Sequence, residues 1–279
     1  MNKSLYIVPS GGLANRMRAI ACGIYLADKL GFKPEIIWRR NWEIGAAYSD
    51  LFAESPTTRL VTDAGFLRYN LLYEIPRKKN FYISTLTQKI MFDKALFDEK
   101  GLLLIADEPE ELVNLIGDSR KVMIRSGLEF YLFDPTYYRQ TFRPSPEVAD
   151  ILSRITDSFN DTTYGFHIRR TDNVNSIKYS PVELFVAKAD ELLSDPDARI
   201  FLASDSEDVK QLFHNKFHGR IITSPVAADR SSRHGMLWGF AELLALSKTK
   251  RLFGSYYSSF SEAAALLGDV PYEQVKIRP

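Results

Sequence analysis

The chain has 279 residues, 45% of them hydrophobic and 25% charged, the makeup of a globular protein long enough for about two domains. Its formal net charge is +1, with lysine and arginine spread along the sequence, so no global field points to nucleic acid and any anion site is local. Cys22 is the only cysteine, which excludes an intrachain disulfide and a multi-cysteine metal centre, and no stretch reaches the roughly 20 apolar residues of a membrane span.

In chain order, residues 5–8 form a short β-branched run that Pro9-Ser10-Gly11-Gly12 breaks. Apolar spacing at Met17, Ile20, Ala21, Ile24 and Ala27 then predicts a helix over 15–29, with Gly31 as its C-terminal cap. A second strand over 35–38 completes the βαβ rhythm of a parallel sheet. Apolar pieces at 81–84, 102–106 and 121–125 read as further strands of it. From Phe130 to Ser145 the pattern is irregular, with Asp134-Pro135 and Arg143-Pro144-Ser145-Pro146, and the domain boundary falls there: 1–142, then 143–279.

The second half restarts with a helix over 146–158 and a strand over 164–168. Helices over 181–193, 207–213, 236–247 and 261–267 alternate with strands over 199–203, 220–223 and 251–254. The expected class is α/β throughout, as two successive halves of similar size.

Polar turns follow three of these strands, at the edge where open α/β sheets place ligands. His167-Ile168-Arg169-Arg170-Thr171-Asp172 puts two arginines at a strand end, and guanidinium forks match phosphate oxygens in bidentate geometry. A surface ion-pair cluster of Arg169, Arg170 and Asp172 fits the same residues equally well. Ala203-Ser204-Asp205-Ser206 reads as a strand end with an ordinary N-cap at Asp205 or Ser206. Gly254-Ser255-Tyr256-Tyr257-Ser258-Ser259-Phe260-Ser261-Glu262 leads into an apolar helix whose N-terminus can cap itself with serine, receive a diphosphate, or both.

Near the N-terminus, Gly11 and Gly12 permit a tight turn and close backbone approach, and Asn15 and Arg16 at the helix start can face a ligand cleft. The segment lacks both the full dinucleotide fingerprint and the lysine of a P-loop. Of the four histidines, His214 and His218 sit beside Lys216 and Arg220 and read as solvent-facing, so no metal site is expected. The absence of a G-x-S-x-G elbow, with Cys22 inside an apolar helical stripe, argues against nucleophilic hydrolases.

His167-Ile168-Arg169-Arg170-Thr171-Asp172 resembles the H-x-R-R-x-D motif of GDP-fucose-dependent α1,6-fucosyltransferases, the nodulation enzymes included, with more distant similarity to α1,2- and protein O-fucosyltransferases. Gly11-Gly12-Leu13-Ala14-Asn15-Arg16 is similar to their glycine-rich first element, Ala203-Ser204-Asp205 to their second motif, and Ser258-Ser259-Phe260-Ser261 to their third.

The resemblance implies a GT-B architecture, two Rossmann-like domains facing a cleft, with the donor on 143–279 and the acceptor mainly on 1–142. It implies a metal-independent, inverting glycosyltransferase carrying fucose from GDP-fucose to a glycan or lipid-linked oligosaccharide. Arg169, Arg170 and Asp172 would be catalytic. Gly11, Gly12, Asn15, Arg16, His167, Asp205, Ser258, Ser259, Phe260 and Ser261 would hold the nucleotide sugar, and Glu242 would take the place of the family's guanine-binding aspartate. Glu43, Asp50 and Asp172 are the candidate bases. A cytoplasmic location with membrane contact at most peripheral is expected, and a different nucleotide-sugar donor or a noncatalytic binding protein of the same fold remain the alternatives.

Overall fold

The computed structural model describes residues 3–55, 61–98, 102 and 109–277. It divides into two units, Met1–Arg143 and Pro144–Pro279.

In unit 1, β1 (Ser4–Pro9) lies at the middle of a five-stranded sheet ordered β3-β2-β1-β5-β4, completed by β2 (Lys33–Trp38), β3 (Val61–Asp63), β4 (Lys94–Phe97) and β5 (Lys121–Ser126). Every pairing is parallel. Both faces of such a sheet are covered, which is why β1 reads Leu-Tyr-Ile-Val without polar alternation. The helix α1 (Leu13–Leu30) turns Met17, Ile20, Ala21, Ile24 and Ala27 inward, and Gly31 caps it at φ 69°. It crosses β1 so closely that a Cβ on Gly23 would lie 2.6 Å from the Ile7 side chain.

The short α2 (Tyr48–Leu51), α3 (Phe66–Leu72), α4 (Ser84–Met91), α5 (Pro109–Ile116) and α6 (Pro135–Thr141) complete this unit. Two sequence readings change here, and a third falls largely outside the described residues. Residues 81–83 are a turn and Ser84 opens α4, so 81–84 is no strand. Its aromatic and β-branched composition suits a strand, but the Asn80 side chain ties the chain back, accepting from Arg77 N at 2.9 Å and donating to Ile75 O at 2.8 Å. The strand beside β5 is instead β4. Of the piece at 102–106, residues 103–106 lie outside the described residues. Asp134-Pro135, read as a break, begins α6: Asp134 Oδ1 accepts from Thr136 N at 2.8 Å and proline occupies the first turn.

Unit 2 opens with α7 (Pro146–Thr156), capped by Ser145. Its parallel sheet is ordered β10-β9-β6-β7-β8, from β6 (Thr163–Ile168), β7 (Arg199–Ser204), β8 (Ile221–Ile222), β9 (Leu252–Ser255) and β10 (Tyr272–Val275). The helices are α8 (Val174–Tyr179), α9 (Val182–Leu192), α10 (Glu207–Lys216), α11 (Arg233–Leu246) and α12 (Ser259–Gly268). Phe166, Phe185, Phe213 and Phe253 meet in the core at ring separations of 5.4–6.1 Å, edge to face around Phe166. Each buried ring contributes about 1.5–3 kcal/mol. The helix α11 is apolar nearly all round and correspondingly buried.

In this sheet the chain runs outward from β6 through β7 to β8, then returns to place β9 on the other side of β6. The gap between β6 and β9 is therefore the topological switch point, where doubly wound sheets leave a crevice at the carboxyl ends of the strands. Among the described residues no helix is long and apolar enough to cross a membrane.

Candidate functional site

The β6 and β9 ends meet through His167. Its buried ring stacks on Phe260 at 4.7 Å between centroids, and its Nδ1 lies 2.7 Å from Ser261 Oγ and 3.3 Å from Ser258 Oγ. Burial first, and the nearby Arg169 charge second, push its pKa down to about 3, so the imidazole is neutral. Ser258 occupies the N-cap position of α12, yet its hydroxyl turns to His167 rather than to the helix. No side-chain hydrogen bond therefore caps the N-terminus of α12 among the described residues. Gly254 makes this closeness possible: a Cβ there would stand 2.3 Å from Ser261 Oγ.

Beyond His167 the two arginines part. Arg169 donates from Nε and Nη2 to Asp172 Oδ1, at 2.9 and 2.5 Å. Arg230 holds the other carboxylate oxygen at 3.1 Å. Burial would raise the Asp172 pKa, but the two guanidiniums outweigh it and hold the carboxyl below its ordinary range. The ion-pair cluster read from the sequence is real for Arg169 and Asp172, with Arg230 as a member no local pattern announces.

Arg170 stays outside that cluster. Its Nη1 donates to Ser180 O at 3.1 Å and Ile177 O at 3.4 Å, while Nε and Nη2 make no hydrogen bond to a described residue. Asp205 braces the turn that carries both arginines: Oδ1 accepts from Arg170 N at 2.7 Å, and Oδ2 accepts from Thr171 Oγ1 at 2.7 Å and Thr171 N at 3.3 Å. Capping α10 falls to Ser206. Ser255, at the end of β9, accepts from Arg169 N at 3.1 Å, and Ser176 and Ser180 hold the Tyr256 backbone. These serines come from α8 and the segment after it, some 80 residues away in sequence, so no local spacing could reveal them.

Glu242 lies buried in α11. Burial raises its pKa to about 7, against the opposing influence of Lys210 and a hydrogen bond with Ser224. A carboxyl poised there needs little to change its charge state.

In unit 1, Gly11 adopts φ 80° at the end of β1, and Gly12 precedes α1 in extended conformation. Asn15 is half-buried in the first turn of α1. Arg16 is wholly buried, donating to Gly11 O at 2.8 Å, Arg39 O at 2.7 Å and Asn41 Oδ1 at 3.1 Å, with its guanidinium 4.9 Å from the Trp38 ring centre. Burial pulls its pKa down to about 10, which leaves it charged. Arg16 ties together the loops that follow β1 and β2. The base candidates differ as well: Asp50 Oδ2 accepts from Ala47 N at the start of α2, while Glu43 stands 4.0 Å from Arg16 and is partly exposed.

No family model matches the sequence, and no curated protein matches it. Solved structures do match in fold. NodZ α1,6-fucosyltransferase soaked with GDP-fucose superposes with a TM-score of 0.65 at 15% identity, over 96% of this chain and 93% of that one; fucosyltransferase NodZ from Bradyrhizobium gives 0.64 at 15% identity, over 96% and 94%. A variant of Arabidopsis thaliana FUT1 in complex with GDP gives 0.68 at 14% identity, over 100% of this chain and 71% of that one. POFUT1 in complex with GDP gives 0.57 at 10% identity, over 99% of each. Two parallel α/β units with switch points at β1/β5 and β6/β9 thus carry this sequence in the GT-B fold that these fucosyltransferases share.

Proposed function

We propose that the protein transfers fucose from GDP-fucose to a glycan or lipid-linked oligosaccharide, with inversion and without a metal ion, the donor held by residues 143–279 and the acceptor mainly by 1–142. The observation that carries the reading is the meeting of His167 with Ser258, Phe260 and Ser261 at the β6/β9 switch point, with Arg169 and Arg170 following directly on the same turn. Support for the donor comes from the fucosyltransferases of the same fold, which were solved with GDP or GDP-fucose.

The reaction breaks the bond between the anomeric carbon and the β-phosphate oxygen, and joins that carbon to an acceptor hydroxyl whose proton passes to a base. Negative charge grows on the leaving diphosphate, and permanent guanidinium charge answers it in place of a divalent cation. Arg170 has two donor nitrogens to offer the diphosphate. Arg169 can exchange its carboxylate partner for phosphate, because Arg230 keeps Asp172 paired. The α12 N-terminus adds backbone donors and its dipole. His167, held neutral, gives Ser258 and Ser261 a fixed partner. Glu242 receives guanine N–H groups when ionised, so GDP affinity falls as the pH drops below about 7. All three base candidates have partners, Asp172 two guanidiniums, Asp50 the start of α2 and Glu43 the Asn41 amide at 3.2 Å with Arg16 at 4.0 Å, so the base is assigned to none of them.

Isothermal titration with GDP in EDTA tests the donor site. Replacing a charged bidentate donor costs about 1.5–3 kcal/mol, so Arg170→Ala and Arg169→Ala each weaken binding by roughly tenfold or more. Unchanged GDP affinity in both variants, or tighter binding of UDP than of GDP, sinks the assignment.

A further inference from the structure

The helix α4 is amphipathic in the reverse sense. Its polar residues Ser84 and Gln88 are buried, with Gln88 Nε2 donating to Leu72 O at 3.2 Å and Glu74 O at 2.8 Å, and Thr87 donates to Leu71 O. Its apolar residues face solvent instead. Leu86 is 67% exposed and Ile90 74%, and Ile83 just before the helix falls on the same stripe at i, i+3, i+7. The turn that precedes them adds Phe81, 84% exposed, and Tyr82.

That turn is built to present aromatic rings. Phe81 and Tyr82 adopt φ 51° and 53°, a left-handed backbone that bulky side chains rarely take up, and Asn80 and Arg77 hold the chain there through side-chain and backbone hydrogen bonds. Scattered exposed apolar residues need no explanation; a contiguous stripe with a strained aromatic turn at its head does.

Charge selects the occupant. Residues 77–92 contain Arg77, Lys78, Lys79 and Lys89 and no aspartate or glutamate. Lys78, Lys79 and Lys89 are exposed. A second copy meeting this face about a twofold axis would set cation against cation. An anionic bilayer satisfies both halves of the surface, taking the apolar stripe and rings into its interfacial layer while lysines meet the lipid headgroups. The geometry points to α4 and the 78–83 turn as a peripheral docking face for an anionic lipid surface, which would bring unit 1 to a membrane.

The full chain is sedimented with vesicles of phosphatidylcholine alone and with about one third phosphatidylglycerol, in low salt and in about 0.5 M salt. Binding is expected with the anionic vesicles only, weakening in high salt. Leu86→Ser with Ile90→Ser, and separately Lys78→Ala with Lys79→Ala, should each reduce it by about tenfold or more. These positions are exposed, so thermal melting and GDP affinity should match the parent, which separates this surface from the donor site. Equal binding to neutral and anionic vesicles, binding to neither, or a dimer in sedimentation velocity that Leu86→Ser dissociates would overturn the proposal, the last assigning the face to a second copy.

Discussion

His167 and Glu242 are buried ionisable groups whose titrations are displaced in opposite directions. The folded state keeps the Glu242 proton up to about pH 7 whereas the unfolded chain releases it near 4.5. Its contribution to stability is therefore complete below 4.5 and is lost as the pH rises toward 7. His167 takes up a proton near 6.5 when unfolded but only near 3 when folded, so its contribution is complete above 6.5 and is lost as the pH falls. Between pH 4.5 and 6.5 the two slopes oppose each other, each at most about 1.4 kcal/mol per pH unit. Relative to the parent, Glu242→Gln should gain stability with rising pH across that window and His167→Asn should lose it, read as urea midpoints at several pH values. Parallel profiles for parent and both variants would show that neither group titrates as described. The identities of both residues were legible in the sequence; their charge states were not, because burial is set by α11, α12 and β9 closing around them.

Among the elements, β9 and α12 show how a single missing side chain shapes the site. Gly254 leaves room for Ser261 to reach His167, and Ala at that position would overlap Ser261 and the Tyr272 ring, at 2.3 and 2.9 Å. Overpacking of this kind costs about 1–3 kcal/mol. Gly254→Ala is expected to lower the melting temperature and to weaken GDP binding by displacing α12, whereas Gly12→Ala, with open space around its Cβ, should leave the melting temperature unchanged. GDP binding at parental strength in Gly254→Ala would refute the link between that contact and the nucleotide. Elements whose signals are local were legible: α1 with its Gly31 cap, β6, and α10 behind its serine. The turn at 81–83 was not, since composition suits a strand and only its hydrogen bonds with residues 75 and 77 bend it away. The helix α4 had no counterpart among the predicted elements, and which of its faces is covered depends on the carbonyls that α3 and its following loop present.

At the scale of the whole molecule, each unit has its own sheet and its own core, and the proposed diphosphate contacts at 167–172 and 258–261 fall within residues 144–279. Hydrogen–deuterium exchange on the intact chain with GDP should slow amides around 167–172 and 255–262, and protection confined to unit 1 would overturn the placement of the donor. The sequence by itself determined the α/β class, the two successive halves and the strand-end positions of the polar turns, because strand periodicity, glycine turns and helix caps act over a few residues. Only the tertiary structure decided that Arg230 shares Asp172 with Arg169, that Ser258 and Ser261 converge on His167, and that Arg170 Nη1 meets the Ile177 and Ser180 carbonyls while Arg16 is spent on those of Gly11 and Arg39. Ser258 and Ser261 lie some 90 residues from His167, and their meeting follows from the order in which parallel strands assemble: β9 comes back to lie beside β6, at the switch point where the chain reverses.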